Sequence, residues 1–183
     1  MELFLNKIDS PLGEMLLVTD SQGMVRALYF INHNVRLQRE LRERFSGIEP
    51  REGVATDAVK TISRKIDRYF KGDLTALDDI AVATDGTDFQ RLVWAALRKI
   101  PAGKTTTYGE LARSLGYEDR RLAKDIGAAV GANPVAVIVP CHRVVGKDGT
   151  LKGYAWGLQR KYRLLRHENA EVLQGATAAL FSL

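Results

Sequence analysis

The chain of 183 residues has a single cysteine, Cys141. That scarcity excludes an internal disulfide framework and any zinc site built from several thiolates, and it suits a reducing compartment. No apolar run is long enough to span a membrane. Met1-Glu2-Leu3-Phe4 has the pattern of neither a secretory signal nor a transit peptide, and internal repeats and low-complexity stretches are lacking. Together these absences point to a soluble, cytoplasmic protein. What is present is ordinary in bulk, 45% hydrophobic and 27% charged, with length for one large or two small domains. The charge is uneven. Residues 1–83 carry 12 Lys and Arg against 13 Asp and Glu, a net of −1, whereas residues 84–183 carry 15 against 9, a net of +6. The basic excess lies wholly in the half that holds the cysteine. Such asymmetry fits a polyanion partner, with plain solubility as the bland alternative.

Along the chain, Leu3–Ile8, Glu14–Thr19 and Val25–Phe30 read as short strands joined by tight turns, an antiparallel meander. Leu37, Leu41 and Phe45 recur at a helical period over 34–46, and Val59, Ile62, Ile66, Tyr69 and Phe70 share one face over 56–71. Residues 77–83 read as a linking strand. The polar run Thr84-Asp85-Gly86-Thr87 marks a boundary between a first domain, 1–83, and a second, 84–170, with 171–183 as a tail. The second domain opens with two capping boxes, Thr87-Asp88-Phe89-Gln90 and Thr107-Tyr108-Gly109-Glu110, each starting a helix. A third helix is expected from about Asp119 to Ala132, closed by Asn133-Pro134. Two helices and a turn in a basic half resemble a helix-turn-helix DNA reader, although packed helices of no special role give the same pattern. The third helix has a small face, Ala123, Gly127 and Gly131, with Ala128 and Ala132 beside them. Each helical glycine costs roughly 1 kcal/mol relative to alanine, so close approach of a neighbouring helix or a nucleic-acid groove should compensate. Gly146-Lys147-Asp148-Gly149 reads as a hairpin turn, and Gln159 to Asn169 as a last helix.

The chemistry concentrates in Val137-Ile138-Val139-Pro140-Cys141-His142-Arg143-Val144-Val145. Aliphatic flanks predict a buried strand, Val135–Val139, that delivers the thiol to a fixed point. A thiol needs only a base or positive charge nearby to become a nucleophile; a structural buried cysteine is the common alternative. Successive strand residues point to opposite sides, so Cys141 and His142 require a turn or a bridging water to be coupled. Glu168 is a candidate to orient the imidazole.

Pro140-Cys141-His142-Arg143-Val144 resembles the active-site signature of the O6-alkylguanine-DNA alkyltransferases, or methylated-DNA–protein-cysteine methyltransferases. The resemblance extends in order through Phe89-Gln90-Arg91-Leu92-Val93-Trp94, Ile100-Pro101-Ala102-Gly103, Thr107-Tyr108-Gly109-Glu110-Leu111-Ala112, Asn133-Pro134, and Gly153-Tyr154 to Arg166-His167-Glu168. It implies a small α/β, ribonuclease-H-like first domain and a mainly α, winged helix-turn-helix-like second domain. It also implies a single-use reaction in which Cys141 takes the alkyl group from guanine O6, with O4-alkylthymine a second candidate substrate, and no cofactor or metal. By that resemblance His142 is the base acting through a water, Glu168 holds it, Tyr108 donates to the departing guanine, and Asn133 fixes the turn before the cysteine. Val144, Tyr154, Ala155 and Trp156 line the alkyl pocket. Gln90, Arg120, Arg121, Ala123, Lys124, Gly127 and Ala128 face double-stranded DNA, and the protein acts as a monomer. Arg143 is expected to pair with an acidic residue of the first domain.

One position departs from the family pattern. Its members place an arginine nine residues before the Asn-Pro, where it fills the stack vacated by the flipped base; here that position is Lys124, a point charge without a planar face. Arg120 and Arg121 are the alternative fingers. Three readings of other classes stand beside the transferase. A damage-binding module of the alkyltransferase-like kind lacks the acceptor cysteine, and Cys141 argues against it. A helix-turn-helix regulator leaves the ordered motifs unexplained, and a cysteine hydrolase would need an oxyanion hole that no motif announces.

Overall fold

The computed structural model describes residues 1–44, 48–118 and 122–173. The chain divides into two units, Met1–Asp85 together with Pro134–Ile138, and Gly86–Asn133 together with the chain from Val139 onward. In the first unit, β1 (Leu3–Ile8), β2 (Met15–Asp20) and β3 (Val25–Phe30) form the expected meander, with Leu3 opposite Asp20 and Met15 opposite Phe30. Every residue of β2 is buried. It lies between β1 and β3, and its first four residues, Met15 to Val18, form an unbroken apolar run that suits burial on both faces. On one face Leu16, Val18, Ala27 and Tyr29 pack with Leu3 and with Leu37. Leu37 comes from α1 (Asn34–Arg44), which follows a 3₁₀ turn at Ile31–His33. The expected helix ran to residue 46, and Phe45 lies outside the described residues.

A further strand, β4 (Arg51–Glu52), pairs parallel with β1. Two exposed charged residues give no apolar alternation, so nothing in the sequence announces it. In α2 (Asp57–Phe70), Val59, Ile62, Ile66 and Tyr69 are buried. The Thr56 hydroxyl accepts the Val59 amide at 3.2 Å, a cap that contributes about 1 kcal/mol. The linking strand expected over 77–83 reduces to one parallel bridge between Val25 and Val82.

The strand expected at 135–139 does not form. Val135 makes a single bridge to Leu28, held by Leu28 N–H to Pro134 O and Ala136 N–H to Leu28 O, both 2.9 Å. The chain then turns, with Val137 at φ 67°, the left-handed region that a β-branched residue rarely enters. A run of apolar residues has no period that separates a strand from a buried turn.

The second unit is built on helices. In α3 (Asp88–Leu97), Thr87 and Gln90 cap each other reciprocally, at 3.2 Å and 3.0 Å. Val93, Trp94 and Leu97 are buried, and the Trp94 indole N–H donates to Ala129 O at 2.8 Å. A Cβ on Gly86 would lie 2.6 Å from the Trp94 ring, so only glycine lets the chain enter α3 here. The strand β5 (Thr106–Thr107) leads into α4 (Tyr108–Ser114), where Thr107 and Glu110 form the second capping box. The next helix, α5 (Leu122–Gly131), buries Ile126, Ala129 and Val130 and packs on α3 and α4. After the 3₁₀ turn Cys141–Arg143, β6 (Val144–Val145) pairs parallel with β5. The turn at Gly146–Gly149 forms, with Gly149 at φ 77°, but the partner of β6 is β5 and not the segment after the turn. The final helix is α6 (Leu158–His167), capped at its C-terminus by Glu168. Among the described residues no helix is long and apolar enough to cross a membrane.

Candidate functional site

Pro140 opens the 3₁₀ turn Cys141–Arg143, in which all three side chains are buried. The Cys141 N–H donates to Val139 O at 2.8 Å, and the Arg143 N–H to Pro140 O at 3.0 Å. A tight turn, in place of the expected strand, thus carries the cysteine. Asn133, the residue after α5 and its one-residue extension, is fully buried. Its side-chain amide donates to Val139 O at 2.9 Å and to Cys141 Sγ at 3.2 Å. One side chain therefore both fixes the path of the chain into the turn and points an N–H at the sulfur. Donation of that kind favours a thiolate over a thiol.

His142 lies wholly inside the protein, with Nε2 2.9 Å from Glu168 Oε1. A carboxylate at Nε2 places the proton there and leaves Nδ1 as the basic nitrogen. Nδ1 is buried and makes no hydrogen bond to the described residues. Burial outweighs the attraction of Glu168, so the imidazole is held below its ordinary value and stays neutral. Glu168 is itself buried, which alone would raise its pKa. The hydrogen bonds that His142 and Arg143 donate, together with the guanidinium charge, outweigh that and hold the carboxyl well below the usual carboxylate range.

Arg143 corrects an expectation. Its partner is in the same unit: Nε and Nη2 donate to the two oxygens of Glu168 at 3.0 and 2.8 Å, and Nη1 donates to Ile100 O. The bidentate fork ties α6 to the end of α3 and orients the carboxylate that faces His142. The Gly103 N–H also donates to Glu168 Oε2, at 3.4 Å.

Around this core, the Tyr108 hydroxyl donates to Lys152 O at 3.2 Å. Burial, and after it the charge of Cys141, push the phenol up, so it remains a proton donor. The Tyr154 ring meets the His142 ring edge-on at 6.5 Å and the Trp156 ring at 5.4 Å. Trp156 and Val144 are fully buried, and Tyr154 and Ala155 half-buried. Of the residues expected to face DNA, Lys124 and Ala128 on α5 are exposed, and Gln90, Ala123 and Gly127 half-buried. Arg120 and Arg121 lie outside the described residues. A Cβ on Gly127 would meet only the Tyr108 ring, at 3.9 Å, and one on Gly131 nothing within 4 Å. Packing among the described residues therefore does not explain the helical glycines.

Lys161 is the residue that sequence reasoning missed. It is fully buried, and its ammonium donates to Val144 O at 2.6 Å and to Lys152 O and Gly153 O at 3.0 Å. Lys161, Leu164, Leu165 and Glu168 recur at i, i+3, i+4 and i+7, the inward stripe of α6. A lysine within an apolar stripe was the available signal.

Two family descriptions match the chain, "6-O-methylguanine DNA methyltransferase, ribonuclease-like domain" over residues 3–84 and "6-O-methylguanine DNA methyltransferase, DNA binding domain" over residues 88–170. Fold and site thus define a two-domain protein with a ribonuclease-like first part and a DNA-binding second part. The methylated-DNA–protein-cysteine methyltransferase of Salmonella typhimurium is 44% identical over 92% of this chain and 96% of its own. That of Methanosarcina acetivorans is 38% identical over 88% and 96%. A solved structure, Mycobacterium tuberculosis OGT in complex with DNA, is 34% identical, covers 93% of this chain and 97% of its own, and superposes with a TM-score of 0.76. The chain belongs to the 6-O-methylguanine DNA methyltransferase family.

Proposed function

We propose that this protein repairs O6-alkylguanine in duplex DNA directly, by transferring the alkyl group irreversibly to Cys141. The observation that carries the reading is the buried chain of contacts around the sulfur: the Asn133 amide 3.2 Å from Sγ, and beside it a neutral His142 held at Nε2 by Glu168. The Cys141 proton passes through a water to His142 Nδ1. The thiolate then attacks the alkyl carbon in line. The new S–C bond forms as the C–O6 bond breaks, its electron pair goes to the guanine, and the Tyr108 hydroxyl stabilises or protonates the leaving base. The product is a thioether that no neighbouring group can cleave, so each molecule acts once. O4-alkylthymine is a second substrate of the same chemistry.

An O6 substituent is out of reach inside a duplex, so the nucleotide is flipped into the pocket formed by Val144, Tyr154, Ala155 and Trp156. The second domain, 84–170, supplies the contacts. In this reading α5 enters the minor groove through Ala123, Gly127 and Ala128, Gln90 and Arg121 contact the backbone, and Lys124 stands where the base has left, with Arg120 or Arg121 as the competing finger. The small face of α5, exposed at Ala128 and Gly131 and half-buried at Ala123 and Gly127, supports this placement, since small side chains let a helix backbone approach a groove closely. The protein acts as a monomer, in the compartment that holds the DNA.

Mass spectrometry after mixing with a duplex oligonucleotide containing O6-methylguanine tests the reading. The expected product carries one methyl in place of the thiol hydrogen, located on Cys141. Unmodified protein that still retains the DNA would overturn the transfer and leave a damage-binding module.

A further inference from the structure

We propose that Lys161 is a positioning residue of the acceptor site, whose ammonium gathers the carbonyls of Val144, Lys152 and Gly153 and so fixes Tyr108 and the Tyr154 wall against Cys141. This deepens the alkyl-transfer reading and rests on it. The three acceptors use every hydrogen the ammonium has, and no carboxylate among the described residues pairs with it. An unpaired buried charge is costly, and an apolar chain of the same length would fill the space at lower cost. Retention of the charge implies that the three carbonyls must be drawn together.

Those carbonyls come from two segments. Val144 directly follows the turn that bears Cys141, and Lys152 and Gly153 directly precede Tyr154. The Lys152 carbonyl accepts from both Lys161, at 3.0 Å, and the Tyr108 hydroxyl, at 3.2 Å. One buried ammonium therefore sets the floor next to the sulfur, the start of the pocket wall and the anchor of the proton donor. The charged and titratable groups that face it are Cys141, whose charge acts on it, His142, whose protonation it opposes, and Tyr108 through the shared carbonyl. Burial brings Lys161 down to about 8, partly offset by the charge of Cys141. A neutral amine has two hydrogens for three carbonyls, so raising the pH past that point releases one of them.

The test is single-turnover methyl transfer from an O6-methylguanine duplex at saturating DNA, across pH 6.5 to 9, with duplex affinity measured in parallel. Wild-type transfer should fall through about pH 8 while affinity holds, approaching about tenfold per further pH unit. Lys161→Met should transfer about a hundredfold more slowly at pH 7.5, in line with a misplaced reacting group, with affinity within about threefold. Lys161→Arg, which keeps the charge, should be faster than Lys161→Met and show no fall near pH 8. A wild-type rate flat to pH 9 overturns the inference without needing a variant to fold, as does Lys161→Met at wild-type speed. If wild-type protein takes no methyl at any pH, the transfer reading itself fails and this inference falls with it.

Discussion

Glu168→Gln tests how the buried charges cooperate. The wild-type carboxylate accepts from His142 Nε2, from Nε and Nη2 of Arg143, and from the Gly103 amide. A glutamine is isosteric but has one acceptor oxygen and one donor NH₂. In either placement the NH₂ confronts an Arg143 donor, and a buried guanidinium loses its counter-ion. In the place of Oε1 it also faces His142, and the imidazole must then present a bare Nε2 and carry its proton on Nδ1, which removes the basic nitrogen. Breaking one partner of a buried pair costs about 3–5 kcal/mol, a large part of the roughly 5–15 kcal/mol that keeps a domain folded. For a chain of this size each kcal/mol moves Tm by about 2–4 °C, so a drop of roughly 6–20 °C is expected. Loss of a general base should slow transfer by about 10²–10⁴-fold. Thermal unfolding followed by circular dichroism gives the first quantity, and single-turnover methyl transfer below the variant's Tm gives the second. An unchanged Tm, with transfer within about threefold of wild type, would refute the assignment of Glu168 as counter-ion and orienter.

Three further outcomes are expected. Asn133→Ala removes the N–H aimed at Sγ, a bond to a charged acceptor worth about 1.5–3 kcal/mol, so transfer should slow by roughly ten- to a hundredfold; an unaffected rate would mean that the thiolate is stabilised elsewhere. Acidification should destabilise the fold, because folded His142 and Glu168 both bind protons less readily than their ordinary 6.5 and 4.5. The unfolded chain then gains protons first, below 6.5 and again below 4.5, at up to about 1.4 kcal/mol per pH unit for each group; urea midpoints at pH 7.5, 5.5 and 4 should fall in that order, and a constant midpoint contradicts it. Lys124→Ala should slow repair in duplex DNA more than in single strands, and if it is silent while Arg121→Ala abolishes duplex repair, Arg121 is the finger.

The strands β1 and β3, the helices α2 and α6, and the capped starts of α3 and α4 were legible in the sequence. Alternation, a 3.6-residue period and a Thr three residues before Gln or Glu are local signals, read by the backbone within a few residues. A resemblance carried by ordered motifs singled out Cys141, His142, Asn133 and Glu168, and the structure pairs Asn133 with Cys141 and His142 with Glu168. What tertiary structure alone decided was who meets whom. The run 135–139 has the composition of a strand, yet the hydrogen bonds between Leu28 and Pro134–Ala136 bend it into a turn, and a 3₁₀ turn then carries Cys141 and His142. Arg143 joins Glu168 across 25 residues, a distance over which no periodic pattern operates. Lys161 occupies the apolar stripe of its helix, but its meaning lies in three carbonyls from two other segments. Backbone carbonyls are the same at every residue, so a partner of that kind leaves no trace in a sequence, and only folding shows that a buried lysine has found them.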